Sequence, residues 1–266
     1  MTTASSDPAP APAGAIHGTP VGATEEPVAG QMTLLQHLDE LRKRLVRIAI
    51  GLGVAFMFCW WQADPLVAWC QAPYVAVAHE PLAVMAVAEA FFVKVRVAFV
   101  VALFASAPWT AFQVWSFIRP GLYPRERRLA IPFIVLVSLF FIAGGAFGYY
   151  VGLPAMLRFL LGDAASGFQV FVRAESYVST FVRLLVGMGI VFEAPVLAAL
   201  LARLGFLSPG ILVKKLRYAI VIIAVLAALI TPSGDIPTML VFAVPMFGLY
   251  VFSIGVAYVF AKREAT

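Results

Sequence analysis

Apolar and polar positions divide this chain into long uncharged runs separated by short basic clusters. Residues 48–63, 97–118, 129–157, 218–234 and 236–261 contain no Asp, Glu, Lys or Arg, and 184–202 contains only Glu193. None of these runs shows the period-two alternation of a half-buried strand, and an open sheet edge cannot face hydrocarbon. A helix rising 1.5 Å per residue needs about 20 residues to cross roughly 30 Å of lipid core. The pattern predicts six transmembrane helices near 45–62, 93–115, 131–153, 176–202, 218–231 and 237–259. The fifth is short: residues 218–231 make only about 21 Å of helix. Local bilayer thinning, packing against partners, or a sunken turn at 231–236 is expected there.

Ahead of the first run, Leu34, Leu35, Leu38, Leu41 and Leu45 recur at three- and four-residue spacing, opposite Asp39, Glu40, Arg42, Lys43 and Arg44. That is an amphipathic helix lying at a membrane surface and continuing into the first span. Thr33 and Gln36 have the spacing of a capping box at its start. Residues 1–32 are rich in Ala, Pro, Gly and Thr and have no hydrophobic period. They are expected to be a disordered tail, with 33–262 the membrane domain and 263–266 a second short tail. The first residues lack the basic and apolar regions of a secretory signal peptide.

Composition strengthens this picture. The chain is 62% apolar and 12% charged, against about 45–50% and about 25% for an ordinary globular protein. Mean hydropathy is +0.93. So few charges cannot wet the surface of a soluble protein of 266 residues, which disfavours a soluble enzyme or nucleic-acid binder. The net charge of +5 has a different explanation. Fourteen of the 19 basic residues fall in the amphipathic start, the 2–3 and 4–5 connections and the C-terminal tail, all on one side of the predicted spans. By the positive-inside rule both termini are cytoplasmic. The fold class expected is an all-α integral membrane protein: a concave bundle of six transmembrane helices, N-in and C-in, with an amphipathic N-terminal helix.

Catalytic parts are missing. There is no GxxxxGK[ST], HExxH or GxSxG, and the three histidines are scattered. Cys59 and Cys70 lack the spacing of a metal site and are expected to be free thiols. No cofactor, metal site or catalytic set is expected. Glu193 is the sharpest single feature, since an ionised side chain near mid-bilayer costs at least about 2.5–3.5 kcal/mol. It must be protonated, hydrated or paired, and Pro195 frees a carbonyl near Val191 that could help. Gln113 is a second intramembrane polar residue. Gly144, Gly148 and Gly152 share one face of the third span and would let another helix approach closely. Pro108 is expected to kink the second span. Lys94, Arg96 and Arg183 are expected to snorkel to headgroups. Glu40 and Glu126 each lie among bases; surface pairing such as Glu40 with Arg44 is the plain reading, worth a few tenths of a kcal/mol.

Several motifs together resemble one family. His37-Leu38-Asp39-Glu40-Leu41-Arg42-Lys43-Arg44-Leu45 resembles the opening motif of the TatC family, the polytopic subunit of the twin-arginine protein translocase. Phe112-Gln113-Val114-Trp115, then Pro120-Gly121-Leu122-Tyr123-Pro124-Arg125-Glu126-Arg127-Arg128, is similar to its first cytoplasmic loop. Phe192-Glu193-Ala194-Pro195-Val196 resembles its fourth span, Leu207-Ser208-Pro209 with Lys214-Lys215-Leu216-Arg217-Tyr218 its second loop, and Thr231-Pro232, Asp235 and Val244-Pro245-Met246 its last hairpin. The resemblance implies a non-enzymatic subunit of a bacterial-type cytoplasmic membrane that binds twin-arginine signal peptides of folded precursors. It implies Glu40 and Glu126 as the recognition patch, with Phe117 and Arg128 flanking it. It also implies single-span TatA and TatB partners, Thr231 and Asp235 lying in the hairpin that would meet them. An oligomeric complex in the lipid bilayer, driven by the proton motive force and binding no nucleic acid, completes the expectation. Met239 stands where many members of the family carry glutamine. The alternative from the residues alone is a proton-coupled secondary transporter using Glu193, but no internal repeat supports it.

Overall fold

A computed structural model describes residues 34–118, 130–163, 170–203, 205, 207–231 and 235–260. The N-terminal tail, Thr33 of the expected capping box, Glu126 and Arg128 lie outside the described residues. All regular structure among the described residues is helical, apart from one isolated bridge between Ala83 and Arg173.

Helix α1 (Leu34–Trp61) is continuous, so the amphipathic start and the first span form one element with no break at residue 45. Helix α2 (Ala63–Ala78) follows, with Asp64 in its first turn where a carboxylate complements the helix dipole. It ends at His79, whose φ of 58° and N–H bonded to the Val75 carbonyl at 2.9 Å make a left-handed cap. The connection onward is tied to the start of a later helix: Ala83 N–H donates to Val172 O at 3.0 Å, and Ala174 N–H to Ala83 O at 2.8 Å.

Helices α3 (Glu89–Ala105) and α4 (Ala107–Ile118) meet at Ser106 and are bent by 54°. Pro108 sits in the first turn of α4, where its missing N–H costs nothing to α4 but cannot extend the ladder of α3. The kink expected at Pro108 is present. Lys94 and Arg96, expected to snorkel to headgroups, also pair with acids: Lys94 Nζ lies 2.6 Å from Asp64, and Arg96 Nη2 3.3 Å from Glu175.

The third span is longer than expected. Helix α5 (Ala130–Phe147) runs through a π-helical turn (Gly148–Gly152) into α6 (Leu153–Arg158) and a second π turn (Phe159–Asp163). Ile131–Gly162 is thus one apolar helix of 32 residues rather than a span ending at 153. Pro154 explains the first widening, because it cannot donate back to the preceding turn. The fourth span is α7 (Ala174–Phe192) and α8 (Ala194–Arg203), broken at Glu193. Helix α9 (Pro209–Lys214) is a short connector, held by Tyr250 Oη donating to Leu212 O at 2.8 Å. Helix α10 (Leu216–Ile230) has 15 residues, and α11 (Ile236–Phe260) has 25. The six expected spans therefore map onto α1, α3–α4, α5–α6, α7–α8, α10 and α11.

Helix α7 is the centre of the packing. Ala174, Tyr177, Val178, Phe181, Leu184, Leu185, Met188 and Gly189 are buried at helical spacing. Around it, large apolar side chains face outward, including Ile50, Val54, Phe58, Leu139, Val221, Leu229 and Val244. An inside-out surface of this kind is wetted by lipid rather than water. The third-span glycines stand against the centre. A Cβ on Gly144 would come 2.5 Å from Met188 O and 2.8 Å from Gly189 Cα; one on Gly148 would meet Leu184 Cδ2 at 2.9 Å; one on Gly152 would meet Phe242 Cε1 at 2.5 Å.

Candidate functional site

Glu40 lies in the second turn of α1, and Arg44 stands one turn further on the same face. Arg44 Nε and Nη2 each approach Glu40 Oε1 at 2.7 Å. Both side chains are about three-quarters or more covered, at 26% and 20% exposed. The Arg44 guanidinium also reaches α4, where Nη1 donates to Gln113 Oε1 at 3.2 Å. Arginine has no acceptor, so this contact fixes which end of the Gln113 amide faces it. Gln113 is 1% exposed, a position where an amide needs a partner, and Arg44 supplies it.

Two further contacts seat α1 on α4. Trp109 Nε1 donates to the Arg47 carbonyl at 2.9 Å, and the Trp109 ring lies so close to Gly51 that a Cβ there would collide with it. Trp109 and Gln113 are four residues apart, so one face of α4 carries both contacts. Phe117, a further turn along that helix, is half-buried. Glu40 and Gln113 stood out separately in the sequence, and Phe117 was implied by the resemblance; the Arg44 bridge between Glu40 and Gln113 required the fold.

Glu193 is placed elsewhere. It occupies the single residue between α7 and α8, with its N–H on Ile190 O at 3.1 Å and its carbonyl accepting from Leu197 N–H at 2.9 Å. The break fits Pro195, which cannot bond to Val191. The Glu193 carboxyl lies against the Phe141 backbone of α5, and Oε1 is buried without a hydrogen-bond partner among the described residues. Trp115, packed on Phe133 with a 4.9 Å ring separation and clustered with Val196, closes the neighbouring part of the bundle. At the α10–α11 hairpin, Asp235 Oδ1 accepts from Thr238 N–H at 2.8 Å and caps α11. Thr231 and Thr238 are 4% and 1% exposed, and neither hydroxyl has a partner among the described residues.

One polar centre escaped the sequence reading. Glu89 opens α3 with its side chain 2% exposed. Its Oε2 accepts from Met85 N–H at 2.9 Å and Ala86 N–H at 3.2 Å, and its Oε1 from Glu175 N–H at 3.0 Å. Arg173 Nη2 approaches at 3.5 Å. The carboxylate thereby ties the α2–α3 connection to the first turn of α7. Its signal in the sequence was an acid four residues ahead of the predicted second span. No group of three or more His, Cys, Asp or Glu side chains is placed to hold a metal ion among the described residues.

The comparisons with known proteins agree with one another. Residues 36–245 match the profile of TatC, described as Sec-independent protein translocase protein. The TatC protein of Koribacter versatilis (strain Ellin345) is 40% identical over 232 residues, covering 85% of each chain. That of Escherichia coli (strain K12) is 38% identical over 227 residues, covering 85% of this chain and 87% of the relative. Two crystal structures of the twin-arginine translocase receptor TatC share the fold. One superposes with a TM-score of 0.76 at 30% identity over 82% of this chain and 98% of its own, the other with 0.70 at 32% over 85% and 100%. With that agreement along nearly the whole membrane domain, the chain belongs to the TatC family of Sec-independent protein translocase proteins.

Proposed function

We propose that this translocase component is the receptor that binds twin-arginine signal peptides of folded precursors, with Glu40 and Glu126 as the carboxylates that take the paired arginines. The observation that carries the reading is the Glu40 site itself. Its carboxylate is partly buried, fixed on a rigid helix, and already closed over a guanidinium at 2.7 Å. Such a site suits arginine, which is planar, always charged and able to present two donors at once. Phe117 and Arg128 flank the patch. The signal's apolar segment runs along the bundle toward Glu193, whose Oε1, without a partner among the described residues, makes a polar weak point. Single-span TatA and TatB partners meet the Thr231–Asp235 hairpin, and the working state is an oligomer in a bacterial-type cytoplasmic membrane with both termini cytoplasmic. Transport draws on the proton motive force. The transporter alternative for Glu193 is not favoured, because the relatives are protein translocase components.

Equilibrium binding tests the reading. Glu40→Ala and Glu126→Ala should each weaken binding of a twin-arginine peptide to the detergent-solubilised protein by about tenfold or more, the loss of one charged hydrogen-bonded contact. Thermal unfolding should stay unchanged. Undiminished binding in both variants would remove the assignment.

A further inference from the structure

We infer that Arg44 is a resident guanidinium on Glu40 that an incoming twin-arginine signal must displace, and that this competition sets the preference for arginine over lysine. The inference rests on Glu40 being a signal-binding carboxylate.

Two nitrogens of Arg44 converge on one carboxylate oxygen, Oε1, both at 2.7 Å. A second guanidinium that spans both oxygens of Glu40 cannot form its paired contacts while Oε1 is chelated in this way. An ordinary helix-surface pair would explain the Glu40 contact alone, since i,i+4 neighbours meet by geometry. It does not explain the third nitrogen. Nη1 is held at 3.2 Å by Gln113, 69 residues away on α4 and 1% exposed. Gln113 is a neutral acceptor, and it provides the Arg44 side chain with a second anchor when its contact to Glu40 is lost. The resident group thus has two partners, one charged and exchangeable, one neutral and buried.

This arrangement discriminates. A twin-arginine signal replaces one charged chelate by another of equal quality. A lysine ammonium is a compact point charge whose three donors diverge from one nitrogen, so it cannot reproduce the two-nitrogen contact of a planar guanidinium and meets the Arg44 charge undiminished. Twin arginines add a second guanidinium at no further translational cost. Arg44 is therefore a positioning and selectivity residue, acting through Glu40.

The test is peptide binding by fluorescence anisotropy to the purified full-length protein, using one peptide with two arginines and one with two lysines. Arg44→Gln should tighten the arginine peptide by up to about fivefold, the range of removing one partly exposed competing ion pair. It should tighten the lysine peptide by more, so the arginine-to-lysine affinity ratio falls. Arg44→Lys keeps the charge but loses the chelate, and its ratio should also fall. Weakened binding of both peptides, or an unchanged ratio, in a variant that unfolds like wild type overturns the inference. Should Arg44→Gln fail to insert, an unchanged ratio in Arg44→Lys overturns it. Glu40→Gln separates the two levels. If it leaves arginine-peptide binding intact, the receptor role of Glu40 fails; if it abolishes binding while the Arg44 variants keep the wild-type ratio, only the displacement step fails.

Discussion

Polar side chains in this protein are few, and two well-buried ones, Gln113 and Glu89, meet the cost of leaving water in different ways. Gln113 meets it through Arg44, and Glu89 through three main-chain N–H groups and an arginine. Removing Glu89 should therefore act on the chain segments it joins rather than on the spans. In Glu89→Ala, the amides of Met85, Ala86 and Glu175 should lose most of their protection in hydrogen exchange, while α7 amides from Phe181 onward keep theirs. Retained protection at all three amides would show that the Ala83–Arg173 bridge suffices alone. Cys70 offers a second check at this scale. It is fully covered, and burial pushes its thiol up to about 12. The reactive thiolate is thus scarce in the folded protein at every pH below that value. Maleimide labelling of Cys70 should stay slow from pH 7 to 9 and become fast only on denaturation. The sequence marked Glu40 and Gln113 by type and position, yet not their connection, because the partner of Gln113 sits 69 residues away. Glu89 was hidden because it lies outside both the hydrophobic periodicity and the basic clusters used to set topology.

Helices were legible because lipid imposes one rule everywhere: backbone groups must be satisfied within the segment. Their ends and breaks were legible only where proline marked them. Pro108 pointed to the α3–α4 bend, whereas the third span continues past Arg158 through a second π turn, beyond the uncharged run that set its expected end. The glycine face of α5 had the right spacing for a close helix contact, but only the packing identifies α7 as the helix against Gly144. The atoms facing Gly144 are main-chain and cannot rotate away. Gly144→Ala should cost about 1–3 kcal/mol by overpacking, read as a lowered thermal unfolding midpoint in detergent. Gly248 on α11 has open space around it, with nothing within 4 Å of where a Cβ would stand, so Gly248→Ala should fall within about 0.5 kcal/mol of wild type. Equal effects at the two sites would contradict the close α5–α7 approach. Helix α10, at 15 residues, reaches only about 22 Å. Spin labels at its ends should report a smaller difference in depth than labels at the ends of α11; equal differences would remove the case for local thinning.

At the level of the whole molecule, scarcity of charge is what makes function readable. The basic residues gather in a few clusters, and the acids that remain stand out against them. Glu193 has no stabilising ion pair among the described residues, so Glu193→Gln should insert at least as well as wild type, since a neutral amide is cheaper at that depth. Export of a twin-arginine reporter in that variant should fall; unchanged export at equal membrane abundance would make Glu193 a tolerated polar residue. The central claim is that signals are received at Glu40 and Glu126, and site-specific photocrosslinking tests it most directly. Photoreactive residues placed singly at positions 37, 43 and 117, with Glu40 and Glu126 left intact, should each crosslink a precursor carrying two arginines, and not the same precursor with two lysines. Equal crosslinking of both precursors, or none from any of the three positions, would contradict it.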